Sequence, residues 1–137
     1  MELMANEAVL KVRLEDPIDF TCADGTGIEK GTICALTDPR TAIAVSSTAQ
    51  VLAGITAREK IASDGRTQIA CFRKGIFDLN CSGAVNVGDA VSACASNEIK
   101  QVANGASGAT ILGYALEAGS DNETIEVLVD ITAGAGN

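Results

Sequence analysis

The chain contains no histidine and no tryptophan, two prolines, and four aromatic residues in 137. Each shortage excludes something. Without histidine the usual general base and a common metal-ligating side chain are missing, and neither a Ser-His-Asp nor a Cys-His arrangement can be assembled within one chain. Basic residues are also scarce, ten against eighteen acidic ones, for a net charge of −8 and a pI near 4.4. The basic residues are scattered, so a nucleic-acid partner, which requires clustered Lys and Arg to displace counterions, is not expected. No basic segment followed by an apolar one marks a targeting signal. The longest charge-free runs, Thr41–Ala57 and Gln101–Leu116, are too rich in Ser, Thr, Gln, Asn and Gly to read as membrane spans.

Cys22, Cys34, Cys71, Cys81 and Cys94 include no C-x-x-C pair, so no zinc site and no metal is expected. An odd, widely spaced set fits a disulfide framework poorly. They read as small buried hydrophobes of a protein made in a reducing cytoplasm. The apolar fraction of 47% is largely Ala and Val. Such side chains bury little area each, at ~25 cal/mol per Å², so association would help a subunit of this composition.

What is present is two-residue alternation. In Ala8–Glu15, the residues Ala8, Leu10, Val12 and Leu14 fall on one face; in the segment after Glu123, Ile125, Val127, Val129 and Ile131 do. Thr124, Glu126 and Asp130 face the other way there, together with Leu128. Between these ends the alternation predicts strands at Ile18–Cys22, Thr32–Leu36, Ala42–Val45, Val51–Ala57, Thr67–Phe72, Ile76–Asn80, Ala90–Ala93, Glu98–Val102 and Ile111–Leu116. Turn chemistry separates them, most sharply at Asp64-Gly65 and Asn104-Gly105. A short helix is an option at Ala57–Ser63. Many short strands at even spacing predict an all-β barrel or sandwich.

The chain also repeats itself. "IEKGTICAL" from Ile28 is echoed by "VNVGDAVSAC" from Val85, and "VLAGITA" from Val51 by "ILGYALE" from Ile111. Gly31 and Gly88 stand 57 residues apart, Gly54 and Gly113 stand 59 apart, and Asp64 and Asp121 stand 57 apart. This order predicts an internal duplication in which each half supplies strands to one barrel.

Little chemistry is visible. Asp64, Glu59, Asp78 and Glu117 could in principle pair as acid and base, but turn and strand-end carboxylates are ordinarily solvated. "GTGIEKGT", Gly25 to Thr32, misses the spacing of both glycine-rich phosphate-binding loops. "SDNE" lacks the calcium-loop spacing. No cofactor is expected. In "TDPRT", Arg40 stands beside a proline turn, where it could reach a partner's carboxylate in bidentate fashion.

The ordered blocks "ADGTGIEKGTICALTDPRTA", "LAGITAREKIASDGRTQIACFRKGIFDL", "GAVNVGDAVSA" and "ILGYALEA" with "ETIEVLV" together resemble the tailed-phage head decoration, or capsid cement, proteins. The resemblance covers roughly Ala5 to Ile131 and is most specific at "AGITAREKIASDG" and "GIFDL". It implies no catalytic residue and no enzyme. It implies a small β-barrel or β-tulip-like protein with an extended N-terminal arm. Such a protein would sit as a homotrimer on the outer surface of the expanded head, in the virion, holding the major capsid protein together. The expected organisation is an arm over residues 1–7, a single barrel domain over 8–132, and a flexible tail over 133–137. The capsid-binding segment would be Met4, Ala5, Asn6, Glu7, Ala8, Val9 and Leu10, with Met4 a second possible start. The competing reading is a β-barrel binding module for host-surface glycans or another virion protein. With Phe20, Phe72, Phe77 and Tyr114 as its only rings, the chain has few candidates for a sugar platform.

Overall fold

A computed structural model describes residues 6–37, 40–47, 50–102 and 110–131. Asn104-Gly105 and the expected tail lie outside them, as do Met4 and Ala5. Eleven strands follow in order: β1 (Val9–Arg13), β2 (Ile18–Thr21), β3 (Ile33–Thr37), β4 (Thr41–Ala44), β5 (Leu52–Thr56), β6 (Gln68–Phe72), β7 (Lys74–Cys81), β8 (Ala90–Cys94), β9 (Glu98–Gln101), β10 (Gly113–Ala115) and β11 (Thr124–Asp130). Each falls on a segment where alternation predicts a strand. The protein is all-β, with a 3-10 turn at Ala95–Asn97. Ala57–Ser63 is not helical. Instead Lys60 forms an antiparallel bridge with Ile28, which spends its backbone groups on a partner far along the chain.

The duplication is present in every pairing. Strands β2 to β6 close one barrel in the order β2-β4-β3-β5-β6. Strands β7 to β11 repeat that order as β7-β9-β8-β10-β11, with β1 added at the edge of β7. In both, the first and third strands pair in parallel, Thr21 opposite Thr41 and Asn80 opposite Glu98, and all other pairs are antiparallel. The Ile28–Lys60 bridge has its counterpart in Val85–Gly119. Gly31 and Gly88 both adopt positive φ, 80° and 86°. Each half therefore closes a barrel of its own, where the sequence predicts one barrel shared between them. The parallel first-to-third pairing is the reason, because it joins each half's ends before the other half is needed.

One further correspondence shifts. Ser63 donates its N–H to the Asp24 carbonyl, and Asn122 donates to Cys81 in the same way. Asp64 N–H then bonds Ile61 O as Glu123 N–H bonds Ser120 O. Asp64 thus matches Glu123, not Asp121; the turn after it is longer in the first half.

The barrels share a core. Phe20, Ile28, Cys34, Ala53, Ile69 and Cys71 fill the first interior. Phe77, Leu79, Val91, Ile99, Val127 and Val129 fill the second, and Ile33, Ala35, Leu52, Ile55 and Phe72 of the first barrel pack into that same cluster. Strand β5 is buried at all five positions because it has a barrel interior on one side and the neighbouring barrel on the other. Phe72 and Phe77 meet edge to face across the junction, 5.8 Å between centroids. Arg73, between β6 and β7, ties the two ends by donating to Ala53 O and Ile131 O.

Candidate functional site

The N-terminal segment lies along the seam between the barrels. Asn6 donates its side-chain amide to Ser96 O (2.9 Å), and its own carbonyl accepts from Asn97 Nδ2 (2.7 Å). Ala8 is buried and donates its N–H to Gly31 O (3.0 Å). Gly31 has to be glycine here, since its φ is positive and a Cβ would strike Glu7 and the Ala8 backbone. Thus Asn6–Ala8 are docked on the chain's own barrels before β1 begins.

Strand β1 pairs with β7, with a bulge between Leu10 and Val12. Among the described residues it has no other strand partner, so its far edge is open. The alternation of Ala8–Glu15 would let one face cover a core, but every β1 residue is exposed, with Val9 at 48% and Val12 at 45%. The strand lies outside the closed barrel and has no interior to face. Arg13 stacks over the Phe72 ring, 5.8 Å from its centroid.

Asn97 is the pin of this seam, and the sequence does not point to it. It is buried, with a φ of 59° that Asn tolerates better than most residues. Its Oδ1 accepts the Ile33 N–H (2.7 Å), and its Nδ2 donates to Asn6 O and Gly31 O (2.7 and 2.8 Å). One side chain of the second barrel thereby holds both the first barrel and the N-terminal segment.

Arg40 is exposed, with a φ of 50°, and donates its Nε to Asp19 O (2.9 Å). That bond fixes the base of the guanidinium fork against β2. Arg40 is thus tied to β2 of the first barrel, whereas Asn6–Ala8 are tied to Ser96, Asn97 and Gly31.

A second unforeseen cluster gathers around Lys60, at its bridge to Ile28 in the first barrel. Lys60 is buried, its Nζ donating to Asp24 O, Asp24 Oδ1, Ile61 O and Asp64 Oδ1 at 2.7–3.0 Å. Four acceptors surround three protons, so the ammonium is fully satisfied. Burial opposes its charge, but the hydrogen bonds with Asp64 and Asp24 outweigh that and hold its pKa above the ordinary lysine value. Asp64 is held down to about 2, first by Lys60 and then by the Arg66 N–H. At the matching places in the second barrel stand Gly119 and Cys81, where a Cβ on Gly119 would press on Ile125 and the Cys81 sulfur. Where the first barrel has a buried lysine held by two carboxylates, the second has close packing around Gly119. The only sequence hint was Lys60 four residues before Asp64 in "KIASD".

Asp64 is depressed from 3.8 in the free state, so its contribution is complete above that value and is lost as pH falls toward about 2. Lys60 is raised, so its contribution is complete below 10.5 and is lost as pH rises through its higher folded value. Asp64→Asn is therefore expected to flatten the acid limb of the stability profile between about pH 4 and 2. Urea midpoints measured across that range check this; a limb as steep as wild type would contradict it.

Two of the remaining candidate carboxylates serve structure separately. Asp78 pairs with Lys11 at 3.6 Å, and Glu117 accepts the Glu126 N–H. Cys34 and Cys71 hydrogen-bond within the first barrel, which raises the Cys34 thiol pKa along with its burial. Burial raises Cys22, Cys81 and Cys94. All five cysteines are free and buried, as expected of small core hydrophobes. Phe20, Phe72 and Phe77 are internal, which leaves Tyr114 as the one exposed ring among the described residues.

The molecule is a pair of duplicated five-stranded barrels, pinned together by Asn97 and carrying an exposed edge strand. Its sequence matches the family model for phage cement proteins over residues 12–131, and the chain belongs to that family, a structural family and not one of enzymes. Among solved structures it is similar to the N base of the head fiber gp8.5 of bacteriophage phi29, with a TM-score of 0.54 and 11% identity, covering 87% of this chain and 98% of that one. At that identity the likeness concerns the fold alone. Among curated proteins none matches the sequence.

Proposed function

We propose that the protein binds the outer surface of the expanded phage head as a homotrimer, contacts the major capsid protein, and stabilises the shell. The observation that carries this reading is the family match across residues 12–131. The open edge of β1 supports it, because an unpaired strand edge can add backbone hydrogen bonds to a strand of another protein with little regard to side chains. On this reading Met4–Leu10 form the capsid contact, with Asn6–Ala8 anchored on the barrels and Val9 and Leu10 presented on the open strand. Arg40 offers its outer nitrogens to a partner carboxylate. The protein is made in the host cytoplasm, where its buried thiols remain reduced.

The test is co-sedimentation with expanded heads, with the head disruption temperature as the second readout. The wild-type chain is expected to bind and to raise that temperature; a chain that does neither refutes the reading. Deletion of Met1–Glu7 is expected to leave a cooperatively folded protein, destabilised by about 1 kcal/mol through loss of the Asn6 contacts. Its head affinity should fall roughly a hundredfold, because three arms act through avidity. A deleted chain that binds as tightly as wild type would remove the arm from the contact.

A further inference from the structure

On the outer face of the six-stranded sheet, five apolar residues stand directly opposite one another across five neighbouring strands. Val12 on β1 faces Ile76 on β7, which faces Leu128 on β11, which faces Tyr114 on β10, which faces Ala90 on β8. Strand alternation places this row opposite to the inward Phe77, Val127 and Ala115. It also explains Leu128, the apolar exception on the polar side of β11. Val12 and Tyr114 are each 45% exposed. A continuous apolar row of this kind marks a contact surface.

Charge decides what covers it. Asp78 and Glu126 occupy the next row on the same face, and Glu117 is bonded to the Glu126 N–H. Residues 74–131 hold eight acidic and two basic side chains, net −6, whereas 18–72 hold six and five, net −1. Two copies meeting sheet to sheet would set −6 against −6. The first barrel offers the better counterpart. A groove of about 430 Å³ there has Pro17, Ala57 and Ala70 in its lining, with Arg58 and Arg66 beside Asp19 and Glu59. Arg40 is bonded to the Asp19 carbonyl but does not line the groove. Arg58 and Arg66 are exposed, Arg66 with one loose contact to Asp64 at 3.9 Å, and guanidinium forks pair well with carboxylates.

We propose that the apolar row of one copy docks against the arginine-lined groove of the next, joining copies head to tail. This rests on the self-association proposed above and assigns its two surfaces. Because the surfaces differ, the contact is heterologous and closes into a ring when the rotation permits.

The test is the mass of the full chain by light scattering and native mass spectrometry. Wild type is expected to be a trimer. Tyr114→Ser with Leu128→Gln damages the row, and Arg58→Glu with Arg66→Glu damages the groove; each double variant is expected to be a folded monomer. Mixed one to one, they retain one intact contact between them and should form a heterodimer and no larger ring. Independently of variant folding, a photo-crosslinking benzoylphenylalanine in place of Tyr114 should join to residues 57–70 of a neighbouring copy. A monomeric wild type, variants that keep the wild-type mass, a mixture without heterodimer, or crosslinks confined elsewhere would each overturn the proposal. Row variants that keep their mass but lose head binding would assign this face to the capsid, leaving the capsid reading intact. Rings that form through these faces yet ignore heads would do the reverse.

Discussion

Gly113→Ala is expected to cost about 3 kcal/mol or more, beyond the ordinary penalty for an added core methyl. A Cβ at Gly113 would lie well inside the contact distance of the Leu128 carbonyl, its carbon and the Val129 Cα. The obstacle is backbone, so no rotamer change relieves it. Gly113 pairs with Val129 on one side and Val91 on the other, and β10 would have to separate from β11, opening the second barrel. Gly54 occupies the same place in the first barrel, where a Cβ would strike the Phe72 carbonyl and crowd Cys71. Gly54→Ala should therefore show a similar loss. Urea unfolding of both variants checks this, and an alanine at either position within about 1 kcal/mol of wild type would contradict the close approach.

Asn97→Ala is the second large effect, expected at about 2–4 kcal/mol. The substitution leaves the Ile33 N–H without its acceptor inside the shared core and removes two bonds to the Asn6 and Gly31 carbonyls. It also asks alanine to hold a φ of 59°, which asparagine accepts more readily. Hydrogen exchange distinguishes this from a diffuse loss of stability. The Ala8 amide, bonded to Gly31 O, should lose protection more than amides of β11 in the second interior. Equal loss at both would show that Asn97 does not hold the N-terminal segment in particular. Asn97→Asp keeps the acceptor for Ile33 but sets a carboxylate against two carbonyls, so it should not restore stability.

These two positions show how differently features were legible. Gly113 and Gly54 stood out in the sequence because the surrounding words repeat at a spacing of 59. Asn97 did not, because its partners lie 64, 66 and 91 residues away. Lys60 is similar: its neighbour Asp64 was visible, but Asp24, 36 residues back, was not. The Asp64–Asp121 match at spacing 57 was misleading, since the turn lengths around it differ while the backbone bonds on either side keep their own correspondence. The exposure of β1 agrees with an arm that leads into an exposed strand; alternation in Ala8–Glu15 reports only that one face can be covered, not that an interior lies beneath it.

From the amino-acid order alone came the strands, the turns between them, the repeat, the absence of histidine chemistry and the buried character of the cysteines. All of these rest on local periodicity, local backbone preference or composition. The three-dimensional structure alone decided that there are two barrels and not one. It also decided that Asn97 pins the two together, that Lys60 is buried between two aspartates of the first, and that Val12, Ile76, Leu128, Tyr114 and Ala90 form one row. Barrel closure, buried polar contacts and cross-strand register depend on which distant segments meet, and loop-separated partners leave no periodic trace in the chain.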